Sequence, residues 1–293
     1  MLLIPSPLER ILLPFKNNIT LYIKRDDLIH SHISGNKWRK LKYNIEAFQQ
    51  QNKKILVTVG GAFSNHIMAT AAVSNWKKIP CIGIIRGDEL NIHSNKNLAY
   101  AHQQNMHLEF IDRHFYAKRY DDDFLELLSN KLDIPNQDIF FIPEGGANME
   151  GAKGCEDIVH EIDLNFDYIL TDCGTGTTLA GIANAVHENQ KAIGISVIGN
   201  NFDIEQSTRH FTNKPFTMLH QFNFGGYAKT NTELLDFIKY FYRMFQIKLD
   251  YVYTAKLFYA IFNLIEQDYF PPNSTIIGVH TGGVLNADIF DEI

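Results

Sequence analysis

Tyr168-Ile169-Leu170-Thr171-Asp172-Cys173-Gly174-Thr175-Gly176-Thr177-Thr178-Leu179-Ala180-Gly181-Ile182 holds a strand pattern, a glycine turn and a helix in immediate succession. The run Tyr168–Cys173 has the length and apolar content of a buried strand. Leu179, Ile182, Ala183 and Val186 then recur at helical spacing. This order points to an α/β chain with parallel strands. Between the two elements, Gly174, Thr175, Gly176, Thr177 and Thr178 offer backbone N–H groups, hydroxyls and a helix N-terminus at one place. Such a turn can cradle a phosphate. It is not a dinucleotide fingerprint, because Leu179 stands where the third glycine of G-x-G-x-x-G belongs, and no Gly-Lys-Ser/Thr of a P-loop follows. A Gly-rich turn with a threonine cap is the plain alternative.

The same alternation extends outward in both directions. Strand signals fall at Leu21–Lys24, Ile55–Val59, Cys81–Ile85, Leu108–Ile111, Ile139–Ile142, Ala192–Ile198 and Thr275–Val279, with helical stretches between them. This predicts βαβ units and parallel sheets covered on both faces. The stretch from Asn200 to Thr230 is the least periodic and is expected to hold long loops.

A second strand–glycine–helix turn reads Gly60-Gly61-Ala62-Phe63-Ser64-Asn65-His66. Ser64 or Asn65 can serve as a helix N-cap, but two preceding glycines suggest close backbone approach to something. It is not a nucleophile elbow, which needs glycine at Ala62 and His66. His66 alone reads as a structural histidine.

Lys37 opens a helical pattern whose stripe is Leu41, Ile45 and Phe48, and it points the same way. A lysine aimed at a core is costly unless its charge is paired or lost. An enzyme uses such a position for a nucleophilic amine that bonds a carbonyl cofactor; a snorkelling lysine is the bland alternative. Ser34-x-x-Lys37 with His280-Thr281-Gly282-Gly283 also matches part of a serine acylase pattern. The S-D-N element is absent, and an acylase has no need of the Gly174–Thr178 turn.

Composition narrows the field. The 293 residues are 45% hydrophobic and 20% charged, enough for two modest domains. A net charge of −6 without a basic run argues against nucleic acid as a partner. No apolar run reaches membrane length, and the proline-broken start is not a signal peptide. Three widely spaced cysteines, Cys81, Cys155 and Cys173, fit a reducing compartment, so a cytoplasmic location is expected. Cys173 reads as structural, and Asp26-Asp27, beside Lys24 and Arg25, as a solvated or salt-bridged turn. Twelve histidines without H-E-x-x-H or C-x-x-C spacing indicate no metal site.

Lys24-Arg25-Asp26-Asp27-Leu28, Ser34-Gly35-Asn36-Lys37-x-Arg39-Lys40-Leu41 and Gly60-Gly61-x-x-Ser64-Asn65-His66 together resemble the 1-aminocyclopropane-1-carboxylate (ACC) deaminase/D-cysteine desulfhydrase family. The likeness continues through Gly174–Gly181, Leu249-Asp250-x-Val252-Tyr253-Thr254-x-Lys256 and His280–Gly283. It implies pyridoxal phosphate as cofactor and the fold type II, tryptophan synthase β-like architecture: two three-layer αβα domains with mainly parallel sheets. Residues 43–150 would form the small domain and residues 1–42 with 151–293 the large one, with the cofactor in the cleft.

By the same resemblance, Lys37 forms the Schiff base with the cofactor and Gly174 to Thr178 bind its phosphate. Asn65 holds the ring oxygen, and Thr254 and Thr281 lie near the pyridine nitrogen. Ser64, Asn65 and His66 meet the substrate, with Ser64 near its carboxylate; Tyr227 and Tyr253 face it. The implied reaction is Cα deprotonation by the Lys37 amine and loss of a β-substituent, which turns D-cysteine into pyruvate, ammonia and hydrogen sulfide. Deaminases of the family carry Glu at the position of Thr254, and a hydroxyl there suits elimination better than cyclopropane opening. Phe63 replaces the family's usual Gln. ACC deamination is the second reading. Behind it stand racemase or dehydratase activity on another small amino acid, cofactor binding without turnover, and the serine acylase. A homodimer is implied.

Overall fold

Side chains alternating between two buried faces along Tyr168–Cys173 set the plan of the larger sheet. Tyr168 and Leu170 join one apolar cluster, while Ile169 and Cys173 join another on the opposite face. The computed structural model describes residues 1–13, 18–33, 35–199 and 203–283. Ser34 and the start of the Asn200–Thr230 stretch, residues 200–202, lie outside the described residues.

The described elements run β1 (Leu8–Ile11), β2 (Thr20–Lys24), α1 (Asn36–Gln50), β3 (Ile55–Gly61), α2 (Asn65–Lys77), β4 (Cys81–Arg86), α3 (Lys96–Gln103), β5 (His107–Ile111), α4 (Arg113–Ala117), α5 (Phe124–Leu132), β6 (Ile139–Ile142), α6 (Met149–His160), β7 (Tyr168–Cys173), α7 (Thr177–Ala185), β8 (Lys191–Ser196), α8 (Ile204–Arg209), β9 (Thr217–Leu219), α9 (Thr232–Phe245), α10 (Thr254–Glu266) and β10 (Thr275–Val279). They form two compact units, Met1–Arg39 with Ala152–Ile293, and Lys40–Gly151.

The larger unit holds a six-stranded sheet in the order β1-β2-β10-β7-β8-β9. Every pair is parallel except β1 with β2. One face packs on α9 and α10 through Ile238, Phe241, Phe258 and Ile261. The other packs on α6, α7 and α8 through Ile158, Leu179, Ile182 and Ile204. The sheet is thus covered on both sides, which is why its inner strands read as near-continuous apolar runs. The order places the C-terminal ends of β10 and β7 side by side. A parallel sheet binds ligands at that end.

The smaller unit has a four-stranded, all-parallel sheet in the order β5-β4-β3-β6. One face packs on α4 and α5 through Tyr116, Phe124 and Leu128. Both sheets match the α/β expectation. Two strands escape the sequence patterns: β1, an antiparallel edge near the proline-rich start, and β9, three residues long.

Candidate active site

At the C-terminal end of β7 the chain turns through Gly174–Gly176 into α7. Gly176 occupies the helix N-cap with φ of +78° and no side chain to close the first turn. A Cβ there would approach Thr208 Oγ1 to 2.2 Å, so α8 fixes this position as glycine. A Cβ on Gly174 would come within 3.2 Å of the Tyr253 ring. Thr175 and Thr177 hydroxyls bond each other at 3.0 Å, and Ser207 Oγ donates to Thr175 O at 2.9 Å. The result is a braced turn at the positive end of a helix dipole.

Lys37 is held beside this turn. Its ammonium donates to Asn36 Oδ1 at 2.6 Å, and the same Asn36 amide donates to Thr178 Oγ1 at 3.0 Å. Asn36 N also donates to Thr281 O at 3.2 Å, and a Cβ on Gly35 would sit 1.8 Å from that oxygen. The first turn of α1 is therefore stitched to both α7 and the segment after β10. Lys37 itself is half-buried, while Leu41, Ile45 and Phe48 on its stripe are buried.

A buried ionic cluster anchors the same turn. Arg39 donates to both oxygens of Asp26, at 3.1 and 2.9 Å, and to both oxygens of Glu161, at 2.7 Å for Oε2. Lys24 donates to Ser6 O at 2.8 Å and to Glu161 Oε2 at 2.7 Å. Burial would raise the Glu161 pKa, but the hydrogen bonds and charges of Arg39 and Lys24 win and hold it at about 2. Asp26 is fully buried, so the Asp26-Asp27 turn is salt-bridged and not solvated. Sequence reading did not single out Glu161.

Tyr227 and Tyr253 meet edge to face with centroids 6.1 Å apart. Burial, the hydrogen bond and charge of Tyr227, and the carboxylates Asp250 and Asp172 raise the Tyr253 pKa well above its ordinary value. Tyr253 therefore keeps its proton at neutral pH and can act as a donor. Tyr227 is 56% exposed and can turn toward a ligand. Thr254 is fully buried: its hydroxyl donates to Asp250 Oδ2 at 2.8 Å and accepts from Asp250 N at 2.9 Å. Thr281 donates to Asp172 at 2.5 and 2.8 Å. Lys256, two residues into α10, donates to the carbonyls of Asn223 and Gly226 at 2.8 and 2.7 Å, which fixes the loop leading to Tyr227. Burial lowers its pKa to about 8, against the pull of Asp250.

The smaller unit carries the other expected residues. Ser64 caps α2, accepting from Ile67 N at 3.3 Å. Gly60 is required there because a Cβ would meet Ile67 Cγ1 at 2.6 Å and Ser64 Oγ at 2.9 Å. The close approach that its sequence signals is thus, for Gly60, the helix that follows. His66 is buried, with Nε2 2.9 Å from Thr58 Oγ1. Because Thr58 spends its proton on Ile142 O at 2.8 Å, Nε2 is the donor, and the ring ties α2 to β3 and β6. Asn65 is half-buried at the first position of α2, and Phe63 is 69% exposed. Cys173 is buried and outside any disulfide, as its strand position implied. Among the described residues, no group of three or more His, Cys, Asp or Glu is arranged to hold a metal ion. No described helix is long and apolar enough to cross a membrane.

The family profile described as pyridoxal-phosphate dependent enzyme matches residues 2–282. The chain belongs to the pyridoxal-phosphate dependent enzyme family. A mitochondrial bifunctional D-cysteine desulfhydrase/ACC deaminase of Arabidopsis thaliana is 29% identical, covering 99% of this chain and 78% of its own. A D-cysteine desulfhydrase of Serratia proteamaculans is 26% identical over 90% of this chain and 86% of its own. A putative ACC deaminase of Thermotoga maritima is 27% identical over 96% and 94%. A crystal structure described as an ACC deaminase homologue superposes with a TM-score of 0.79 at 24% identity, covering 98% of this chain and 94% of that one. The fold is therefore that of the type II pyridoxal-phosphate enzymes, and the resemblance drawn from the motifs holds.

The residues present suit the family's cofactor. The first turn of α7 offers N–H groups to a phosphate, and the Lys37 amine is tied to the same helix through Asn36. A buried hydroxyl–carboxyl pair, Thr281 with Asp172, lies on the same unit.

Proposed function

We propose that this enzyme acts on a small amino acid by β-elimination, with D-cysteine as first substrate and pyruvate, ammonia and hydrogen sulfide as products. The observation that supports this most is the Lys37–Asn36–Thr178 hydrogen-bond chain, which brings an amine and a phosphate-ready helix start together. Pyridoxal phosphate, when bound, supplies the sink for negative charge at the amino acid's Cα.

In this reading the N–H groups and hydroxyls of Gly174–Thr178 would hold the phosphate, and Lys37 would hold the aldehyde end. The Lys37 amine would take the substrate's Cα proton. Asn65 meets the ring oxygen, Thr254 and Thr281 serve the ring-nitrogen side, and Ser64, Asn65 and His66 receive the substrate's carboxylate end. Tyr227 and Tyr253 face the substrate, and Tyr253 supplies a proton to the departing sulfur. Water completes the balance: D-cysteine and water give pyruvate, ammonia and hydrogen sulfide. The deaminase names among the relatives favour ACC ring opening as the second reading. We further propose a cytoplasmic homodimer. The three buried cysteines, none of them in a disulfide, suit a reducing compartment.

The test is a screen of D-cysteine, L-cysteine, D-serine and ACC for keto acid release. D-Cysteine should give pyruvate and sulfide in equal amounts. Release from ACC alone would replace the main reading with the second, and no release from any would leave a binding protein. Lys37→Ala should lower kcat/KM by at least about 10²–10⁴-fold.

A further inference from the structure

Two carboxyl groups lie buried near each other beneath the glycine turn, and their surroundings differ. Asp250 accepts from the backbone N–H groups of Val252, Tyr253 and Thr254 at 2.9, 2.8 and 3.0 Å, and from the Thr254 hydroxyl at 2.8 Å. Four donors therefore surround this carboxyl. Asp172 is the next-to-last residue of β7, on the face that packs against α10. Both its oxygens meet one proton donor, Thr281 Oγ1. Burial and the nearby Asp250 raise its pKa to about 6, although Thr281, Lys37 and His280 pull the other way. Among the described residues, the charged or titratable groups acting on it include Asp250 and Tyr253 ahead of α10, Lys37 at the start of α1, and His280 after β10.

We propose that Asp172, acting through the Thr281 hydroxyl, sets the protonation of the cofactor's pyridine nitrogen. This rests on the site proposed above. A hydroxyl has one proton and can accept as well as donate. With Asp172 ionised, the carboxylate holds the Thr281 proton, and the hydroxyl oxygen can only accept, which suits a ring N–H. With Asp172 protonated, the acid donates to the hydroxyl oxygen, and the Thr281 proton turns to an unprotonated ring nitrogen. Two protons are present in either arrangement, and one has changed place. Thr254 is placed differently, because its hydroxyl both donates to Asp250 Oδ2 and accepts from Asp250 N. Asp172 is thus a positioning residue that restores the strong electron sink a threonine at position 254 forfeits. The site is thereby fitted to substrates whose bonds break slowly as well as to those with a ready leaving group.

The experiment loads the protein with cofactor carrying nitrogen-15 in the ring and reads the ring resonance. Wild type should show the pyridinium range at neutral pH. D172N and T281V should each move it to the neutral pyridine range with the cofactor still bound, and D172E should move it back. An unchanged resonance in both variants, or a neutral pyridine in wild type, overturns the proposal; the wild-type reading stands even where a variant does not fold. Failure of the underlying site would look different: the cofactor would then be bound without a covalent link to Lys37.

Discussion

Two turns of the same written form, Gly60–His66 and Gly174–Thr178, have opposite fates. Each follows a buried strand and opens a helix. In the first, Ser64 closes the helix start with its own oxygen, and Gly60 makes room for Ile67 and Ser64. In the second, the cap is a glycine that brings no side chain, and its neighbours Thr175 and Thr177 bond each other. The first turn of α2 is satisfied from within, while that of α7 is braced around and available to an anion. Glycine in a strand–turn–helix therefore does not by itself announce a phosphate. What distinguishes the two is whether the residue before the helix can cap it.

Breaking the scaffold under the second turn should have the largest effect. Glu161→Gln leaves Arg39 and Lys24 with a weakened buried partner and should cost about 3 kcal/mol or more in a denaturant melt. The same cluster sets an acid limit. The folded pKa of Glu161, about 2, lies below its ordinary value of 4.5. Its contribution is therefore full above about pH 4.5 and is lost as pH falls toward 2. A thermal melt across that window should show wild type losing stability that Glu161→Gln never had.

Next comes the glycine that makes the turn. Gly176→Ala puts a Cβ at positive φ against Thr208, so it should cost about 1–3 kcal/mol and weaken cofactor affinity about tenfold or more, one lost charge-assisted contact being worth ~1.5 kcal/mol. Gly60→Ala should destabilise comparably without that loss of phosphate affinity. Equal losses of affinity in the two variants would erase the distinction. The smallest effect is at the cap itself. Ser64→Ala should cost about 0.5–1 kcal/mol, with the cofactor's dissociation constant unmoved in a fluorescence titration.

Local patterns exposed much of this. The seven strands of sequential apolar runs around β7, the helix stripe below Lys37 and the Gly174 turn all rest on neighbours in the chain. What escaped rests on distant ones. β1 is an edge strand recognisable only by its pairing with β2, and the strand order of either sheet leaves no local trace. Asp172 hid inside an apolar strand, and its partner Thr281 lies 109 residues away. A carboxylate within an otherwise apolar strand, one residue before Cys173 and the glycine turn, was the available signal. Glu161 hid as one acid among many, its partners Lys24 and Arg39 more than 120 residues back. His66 was named on both grounds, and its bond to Thr58 shows the structural part of its work.

The central claim is that the α7 turn and Lys37 together hold pyridoxal phosphate. Borohydride reduction of the loaded protein, followed by peptide mapping, tests it most directly. The pyridoxyl group should be found on Lys37 alone; finding it on another lysine, such as the buried Lys24, Lys40 or Lys256, would contradict the account.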